Sequence, residues 1–253
     1  MVLLSVIAVV IGVSLGLIGA GGAIVAVPAL VYIGGIDPRL ASGYALFMVA
    51  VASAIVSVEH LRQRRVDLPS VLAFGSTTII SILLVRRFVA PLVPPTPQML
   101  AFAAVLLFAA IRMLRPGKPP DERQRHPTYL AGYGLVIGAI SGILGVGGGF
   151  LMTPALVLWA GLDMKRAVAT SLVLIAINSA IGVVADLWGG VQYDWLLVLT
   201  FTGLTTLGII SGMLASRRID GSTLRQGFGW VVLAIGIAVL AKELTAVLTR
   251  ASS

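Results

Sequence analysis

Two stretches of the chain, Gly16–Pro28 (GLIGAGGAIVAVP) and Gly142–Pro154 (GILGVGGGFLMTP), place clustered glycines inside long apolar runs and close on a proline. Each interior Gly costs a helix roughly 1 kcal/mol relative to Ala, and neighbouring glycines free the backbone to turn. A helix entering either stretch is therefore expected to break there. The two stretches lie 126 positions apart, and at that offset 17 of the 43 positions from Gly16 to Val58 are identical, Pro28/Pro154, Asp37/Asp163 and Ser53/Ser179 among them. Apolar bias produces chance matches but does not align prolines and aspartates, so the chain reads as an internal duplication. Paired breaks in corresponding places of two halves are the sequence mark of a binding site in transporters built from repeats.

Composition gives the surroundings of these breaks. With 58% hydrophobic residues, 11% charged residues and a mean hydropathy of +1.04, the chain carries less than half the charge usual in a soluble domain. The expected class is an all-α polytopic membrane protein. There is no cysteine, and the two histidines are His60 and His126, so neither thiolate nor clustered-imidazole metal sites are available and no cofactor is expected. The net charge of +8 sits mostly in short loops, which fits anchoring to anionic lipid better than nucleic-acid binding.

Taken in order, Val2–Ile18 has no Lys or Arg before it and its apolar run continues to Ile33, so it reads as part of the mature protein rather than a cleaved signal. Ala23–Ile33, after the first break, is too short to cross a hydrocarbon core of about 30 Å. Asp37 and Pro38 supply a cap and first-turn proline for a span at about Arg39–Val58. Further spans are expected at about Leu68–Val89 and Gln98–Leu114, separated by a proline-rich turn, Ala90–Pro97. The second half repeats the plan: Thr128–Leu144, a short piece Phe150–Gly161, Asp163 capping Met164–Leu187, then Trp195–Ala215 and Ser222–Leu248. Residues 1–114 and 128–253 are thus two four-segment membrane repeats, joined by a charged, proline-containing cytoplasmic linker at 115–127.

Charge placement separates two topologies. If each broken segment crosses once, the repeats are parallel and the 18 Lys and Arg divide almost evenly between the two sides. If each broken segment is re-entrant, the halves are inverted. Arg62, Arg64, Arg65, Arg112, Arg115, Lys118, Arg123, Arg125, Lys165, Arg166, Arg217, Arg218 and Arg225 then share the cytoplasmic side, which satisfies the positive-inside rule. Arg86 and Arg87 are the main exceptions, expected to snorkel to outer headgroups.

In the inverted arrangement the two short helices begin deep in the membrane. Their free N–H groups and dipoles make an anion site without Lys or Arg, and Gly19, Gly21, Gly22, Gly145, Gly147, Gly148 and Gly149 let a ligand approach the backbone. Ser171, Asn178 and Gly182 share a face of the following helix, as Ser42 and Ser53 do in the first half. With Thr170, the polar members of this group are candidate ligand contacts. The plainer reading is that glycines and small polar residues let membrane helices pack closely. Asp37 and Asp163 read as helix caps, and Glu59, His60 and Asp186 as interfacial groups rather than acid–base catalysts.

The two breaks, the segment DMKRAVATSLVLIAINSAIG (Asp163–Gly182) and the segment RRIDGSTLRQGFG (Arg217–Gly229) resemble the TauE/SafE family of membrane permeases. The resemblance implies a transporter in the cytoplasmic membrane for small anions such as sulfite, sulfoacetate or related organosulfur compounds, often exporting them. The first half departs from the second where Tyr44-Ala45 stands against Thr170-Ser171 and Ala52 against Asn178. The other readings are a passive anion channel and, in a different class, an intramembrane lipid-handling protein. The last would need a nucleophile or metal centre, and the chain has no cysteine and no HExxH, so no enzyme is expected. The partners expected are the anion, the bilayer and a coupling ion, proton or sodium. The sequence leaves the oligomeric state open.

Overall fold

The computed structural model describes residues 2–18, 26–27, 29–31, 33–89, 92–93, 95–115, 126–144 and 149–251; none of these lies in a β-strand. The helices are α1 (Val2–Ile18), α2 (Pro38–Arg62), α3 (Leu68–Ser70), α4 (Ser76–Phe88), α5 (Pro95–Leu114), α6 (Pro127–Leu144), α7 (Gly149–Leu158), α8 (Met164–Trp188), α9 (Trp195–Ser216) and α10 (Gly221–Ala251). A π-helical turn, Val71–Gly75, joins α3 to α4. By length and hydropathy, five candidate spans occur among the described residues: Leu40–Arg62, Leu68–Val85, Met164–Trp188, Trp195–Ser216 and Gly221–Ala241. Shorter apolar helical stretches lie at Ser5–Leu17, Leu100–Leu114 and Thr128–Ser141.

Most boundaries fall within a few residues of the sequence expectation. The exception is α5, which begins at Pro95 inside the expected proline-rich turn. Pro95 and Pro97 sit in its first turn, where a missing N–H breaks no intrahelical bond and the fixed φ favours helix. The glycine clusters at 19–22 and 145–148, most of the linker at 115–127, and the side chains of Arg86 and Arg87 lie outside the described residues.

Residues 126 positions apart make the same backbone bonds. Gly34 N–H donates to the Ala29 carbonyl at 3.2 Å and Ile36 N–H to Leu30 at 3.1 Å; Ala160 donates to Ala155 at 3.2 Å and Leu162 to Leu156 at 3.0 Å. Between these donors Gly35 (φ 62°) and Gly161 (φ 65°) take the left-handed conformation that ends a helix and that a Cβ disfavours. Asp37 and Asp163 each accept from the N–H four residues on, at 2.8 Å, and the Asp163 carboxylate caps α8 by accepting from Arg166 N–H at 3.1 Å. Past α2 and α8 the same closure recurs, Arg65 N–H to His60 and Val191 N–H to Asp186, with Arg64 (φ 52°) standing where the second half has Gly190 (φ 77°).

Packing pairs elements of one half with elements of the other. α1 lies against α9, and a Cβ on Gly12 would strike the Thr205 carbonyl while one on Gly16 would strike that of Ile209. α4 lies against α6, where Thr78 Oγ1 donates to Gly134 O at 3.1 Å and Ser81 Oγ to Leu135 O at 2.8 Å. In both pairs residue numbers rise together, so the helices run parallel. α2 and α8 instead run antiparallel, with Gly43 beside Asp186 and Leu46 beside Gly182. α5 and α10 are antiparallel too: Arg225 reaches the Met113 carbonyl at 3.0 Å and Gly236 meets Leu106. α8 runs with α3 and α4, since Asp67 meets Thr170 and Gly75 meets Leu174. α6 and α8 therefore point the same way. α7 between them points back, its Thr153 bonded to Ser171 of α8 at 2.8 Å.

Candidate functional site

The register of these helices gathers polar groups where α2 and α8 cross. Leu46 meets Gly182, so one turn further along α2, and one turn back along α8, Ala50 comes opposite Asn178. Ser53 is the next turn of α2. Thr153 meets Ser171 across the α7–α8 hairpin, so four residues back, the N-terminal Gly149 of α7 comes opposite Ile175, within one turn of Asn178. The start of a ten-residue helix, Asn178 and Ser53 thus converge on one region.

The polar atoms there are enclosed and unpaired. Ser53 Oγ and Asn178 Nδ2 are buried without a hydrogen-bond partner, and Ser53 is 0% exposed. Leaving such a donor unmade costs about 1–3 kcal/mol, so buried polar groups normally hold a partner, water or ligand. Asn178 offers an amide donor and Ser53 a hydroxyl, beside the positive end of α7. Chemically, such a set suits an acceptor of negative charge.

Other sequence candidates have different work. Thr170 Oγ1 accepts from Asp67 N–H at 3.0 Å and lies eight residues, about 12 Å, along α8 from Asn178. Ser171 Oγ accepts from Thr153 Oγ1 and donates to the Val168 carbonyl at 3.0 Å, tying α7 to α8. Gly149 opens α7. Gly19, Gly21, Gly22, Gly145, Gly147 and Gly148 lie outside the described residues. His60, read from sequence as interfacial, is only 5% exposed, with both ring nitrogens buried and unpartnered; Ser57 and Ser141 also keep unpartnered hydroxyls. The spacing of Ser53, Ser57 and His60, four then three residues, carried this signal, because such positions stack on one helical face. The spaced glycine pairs Gly12/Gly16, Gly134/Gly138 and Gly208/Gly212 were likewise legible as close-packing surfaces.

The two ends of the bundle differ. At one, Arg217 pairs with Glu59 at 3.2 Å and Arg166 with Asp67 at 3.1 Å, while Arg225 donates to the carbonyls of Met113, Arg112 and Arg115. At the other, Tyr44, Phe47, Tyr193 and Trp195 pack edge to face or tilted, centroids 5.5–6.5 Å apart. There Tyr44 Oη accepts from Asp194 N–H at 3.0 Å and Tyr193 donates to Asp186 at 3.4 Å. Burial first, then the Asp186 carboxylate, pushes the Tyr193 phenol up to about 12, so it stays a donor at neutral pH.

A cavity of about 280 Å³ between α5, α6 and α7 is lined by Phe108, Ile137, Leu151, Pro154, Leu158 and other apolar residues. Its predominantly apolar lining does little to offset the desolvation of an anion. Among the described residues no cluster of three or more His, Asp or Glu side chains is placed to hold a metal ion.

The profile of the family described as Sulfite exporter TauE/SafE matches residues 4–239. The chain belongs to this family. A probable membrane transporter protein of Xylella fastidiosa (strain Temecula1) is 28% identical over 244 residues, covering 91% of each chain. The probable membrane transporter protein YunE of Bacillus subtilis (strain 168) is 24% identical over 270 residues, 94% of this chain and 97% of that one. A probable membrane transporter protein of Haemophilus influenzae is 24% identical over 247 residues, 90% of this chain and 93% of that one. No solved structure matches. Family membership and the candidate spans make this an integral membrane protein of a transporter family.

Proposed function

We propose that the protein is a secondary transporter of the cytoplasmic membrane that moves a small anion, a sulfur oxyanion or organosulfonate such as sulfite or sulfoacetate, outward by alternating access. The observation that carries this reading is the unpaired, buried Asn178 Nδ2 and Ser53 Oγ beside the N-terminus of α7. On this reading residues 1–114 and 128–253 are inverted repeats. Two features support it: antiparallel packing of the equivalent helices α2 and α8, and of α5 and α10, and the backward course of α7. The short helix spans about 15 Å, so α7 starts inside the membrane. The glycines at 19–22 and 145–149 give the anion access to backbone amides. The binding energetics suit a carrier: a helix end contributes roughly 0.3–2 kcal/mol and each charged hydrogen bond about 1.5–3 kcal/mol, enough to hold an anion yet release it.

The test is thermal stabilisation of the purified protein by sulfite, sulfate, thiosulfate and sulfoacetate, because a ligand raises stability with the logarithm of its saturation. One or more of these should raise the melting temperature of the wild type and not that of Asn178→Leu. Stabilisation by neutral or cationic solutes, with all four oxyanions silent, would overturn the reading.

A further inference from the structure

The transport reading uses Ser53 but leaves two neighbours unexplained. Ser57 and His60 follow Ser53 on the same face of α2, each at most 5% exposed, and Ser57 Oγ and both His60 ring nitrogens are buried without partners. The row extends about 10 Å along the helix, from the crossing of α2 and α8 to the basic end of the bundle. A single unpaired hydroxyl could be an accident of packing. Three consecutive side chains, including an imidazole with neither nitrogen bonded, describe a polar seam built to hold water or solute.

We propose that this seam links anion binding to a proton: the anion held at the helix crossing is bound together with one proton that His60 takes up from the basic end, Ser57 bridging the two. The inference rests on the anion-transport reading and concerns binding at that same site.

The charges around His60 suit this task. Glu59 on its own helix, Arg65 in the adjoining loop and Arg217 at the end of α9 act on the ring. The Arg166–Asp67 pair, at the starts of α8 and α3, closes the same end. With two guanidiniums and one carboxylate nearest the ring, the local balance is positive until an anion arrives, and the anion then favours the imidazolium. At roughly 10 Å and an effective dielectric near 20, one unit charge alters proton affinity by roughly tenfold. The repeat-related position is Asp186, already bonded to Tyr193 at the opposite end. The proton-linked group is therefore specific to one side of the transporter.

The experiment measures anion affinity between pH 5.5 and 8 on the purified full chain, using sulfate, thiosulfate or sulfoacetate, which do not titrate in that range. Wild type should bind more tightly at the acid end, whereas His60→Gln and His60→Asn should bind with little pH dependence. Ser57→Ala, which removes only a bridging hydroxyl, should reduce the slope. A second readout uses the fact that the chain has two histidines: in a His126→Gln background, ring-nitrogen NMR at pH 5.5 should show an anion-induced gain of imidazolium at His60. Anion binding with the same pH dependence in wild type and His60→Gln, or ring signals unmoved by a bound anion, would overturn the proton linkage and leave the transport reading standing. Failure of every oxyanion to bind the wild type would instead remove the transport reading, and the linkage with it.

Discussion

The basic and aromatic ends of the bundle are made from matching backbone and unlike side chains. Asp67 N–H is held by Thr170 at one end and Asp194 N–H by Tyr44 at the other, both at 3.0 Å, and Thr170 and Tyr44 are themselves 126 positions apart. His60 at the basic end corresponds to Asp186 at the aromatic end, and Arg64 to Gly190. The lesson is one of division: positions 126 apart share their backbone bonds at turns and helix starts, while the different side chains they carry give each end its chemistry. Arginines with ion pairs suit an anionic leaflet, and Tyr and Trp suit the headgroup level of the other.

Breaking the shared scaffold should have the largest effect. Gly12→Val and Gly138→Val each drive a side chain into a carbonyl of the partner helix, Thr205 and Thr78 respectively. Each should cost on the order of 4 kcal/mol or more, read as loss of monodisperse protein in detergent. Gly132→Val and Gly203→Val, where a Cβ meets nothing within 4 Å, should fold. If all four behave alike, close glycine packing does not set the pairing of α1 with α9 and of α4 with α6.

Changing the unmatched chemistry should spare folding and alter binding. Asn178→Leu should lower anion affinity roughly 10- to 100-fold, the worth of one charged hydrogen bond, by isothermal titration of the purified protein. Ser171→Ala should leave affinity within about threefold and instead lower stability by about 1 kcal/mol, since its hydroxyl ties α7 to α8. An equal loss of affinity in both variants would move the site toward the α7–α8 hairpin.

The smallest effect is expected at the surface of the basic end. Arg166 is 42% exposed in its pair with Asp67, so Arg166→Gln should cost at most about 1 kcal/mol, less in high salt. A loss several times larger would mark that pair as a structural lock rather than a surface contact.

Much of the fold was legible because its signals are local. Apolar length located the helices, and the alignment of Asp37 with Asp163 marked the start of α2 and α8. Pro95 escaped because proline ends one helix and starts another with equal ease, so its effect is set by the residues on its C-terminal side. The site was legible only in part. Asn178 and Ser53 were visible as polar residues on apolar helices, but Thr170 and Ser171 looked equivalent to them. Only the folded contacts show that Thr170 accepts from Asp67 N–H and that Ser171 accepts from Thr153 and donates to the Val168 carbonyl. His60 lies at the end of its span, as expected, but the burial of its ring was not legible, because burial at a helix end depends on neighbours far along the chain.

The claim on which the rest depends is that the two halves are inverted, with unlike ends on opposite sides of the membrane. The chain has no cysteine, so single substitutions Gln63→Cys, Gln192→Cys and Ser222→Cys can be probed in whole cells with an impermeant thiol reagent. The inverted arrangement predicts that Gln192→Cys is labelled from outside while Gln63→Cys and Ser222→Cys react only after the membrane is permeabilised. Outside labelling at position 222 together with protection at position 192 would contradict it.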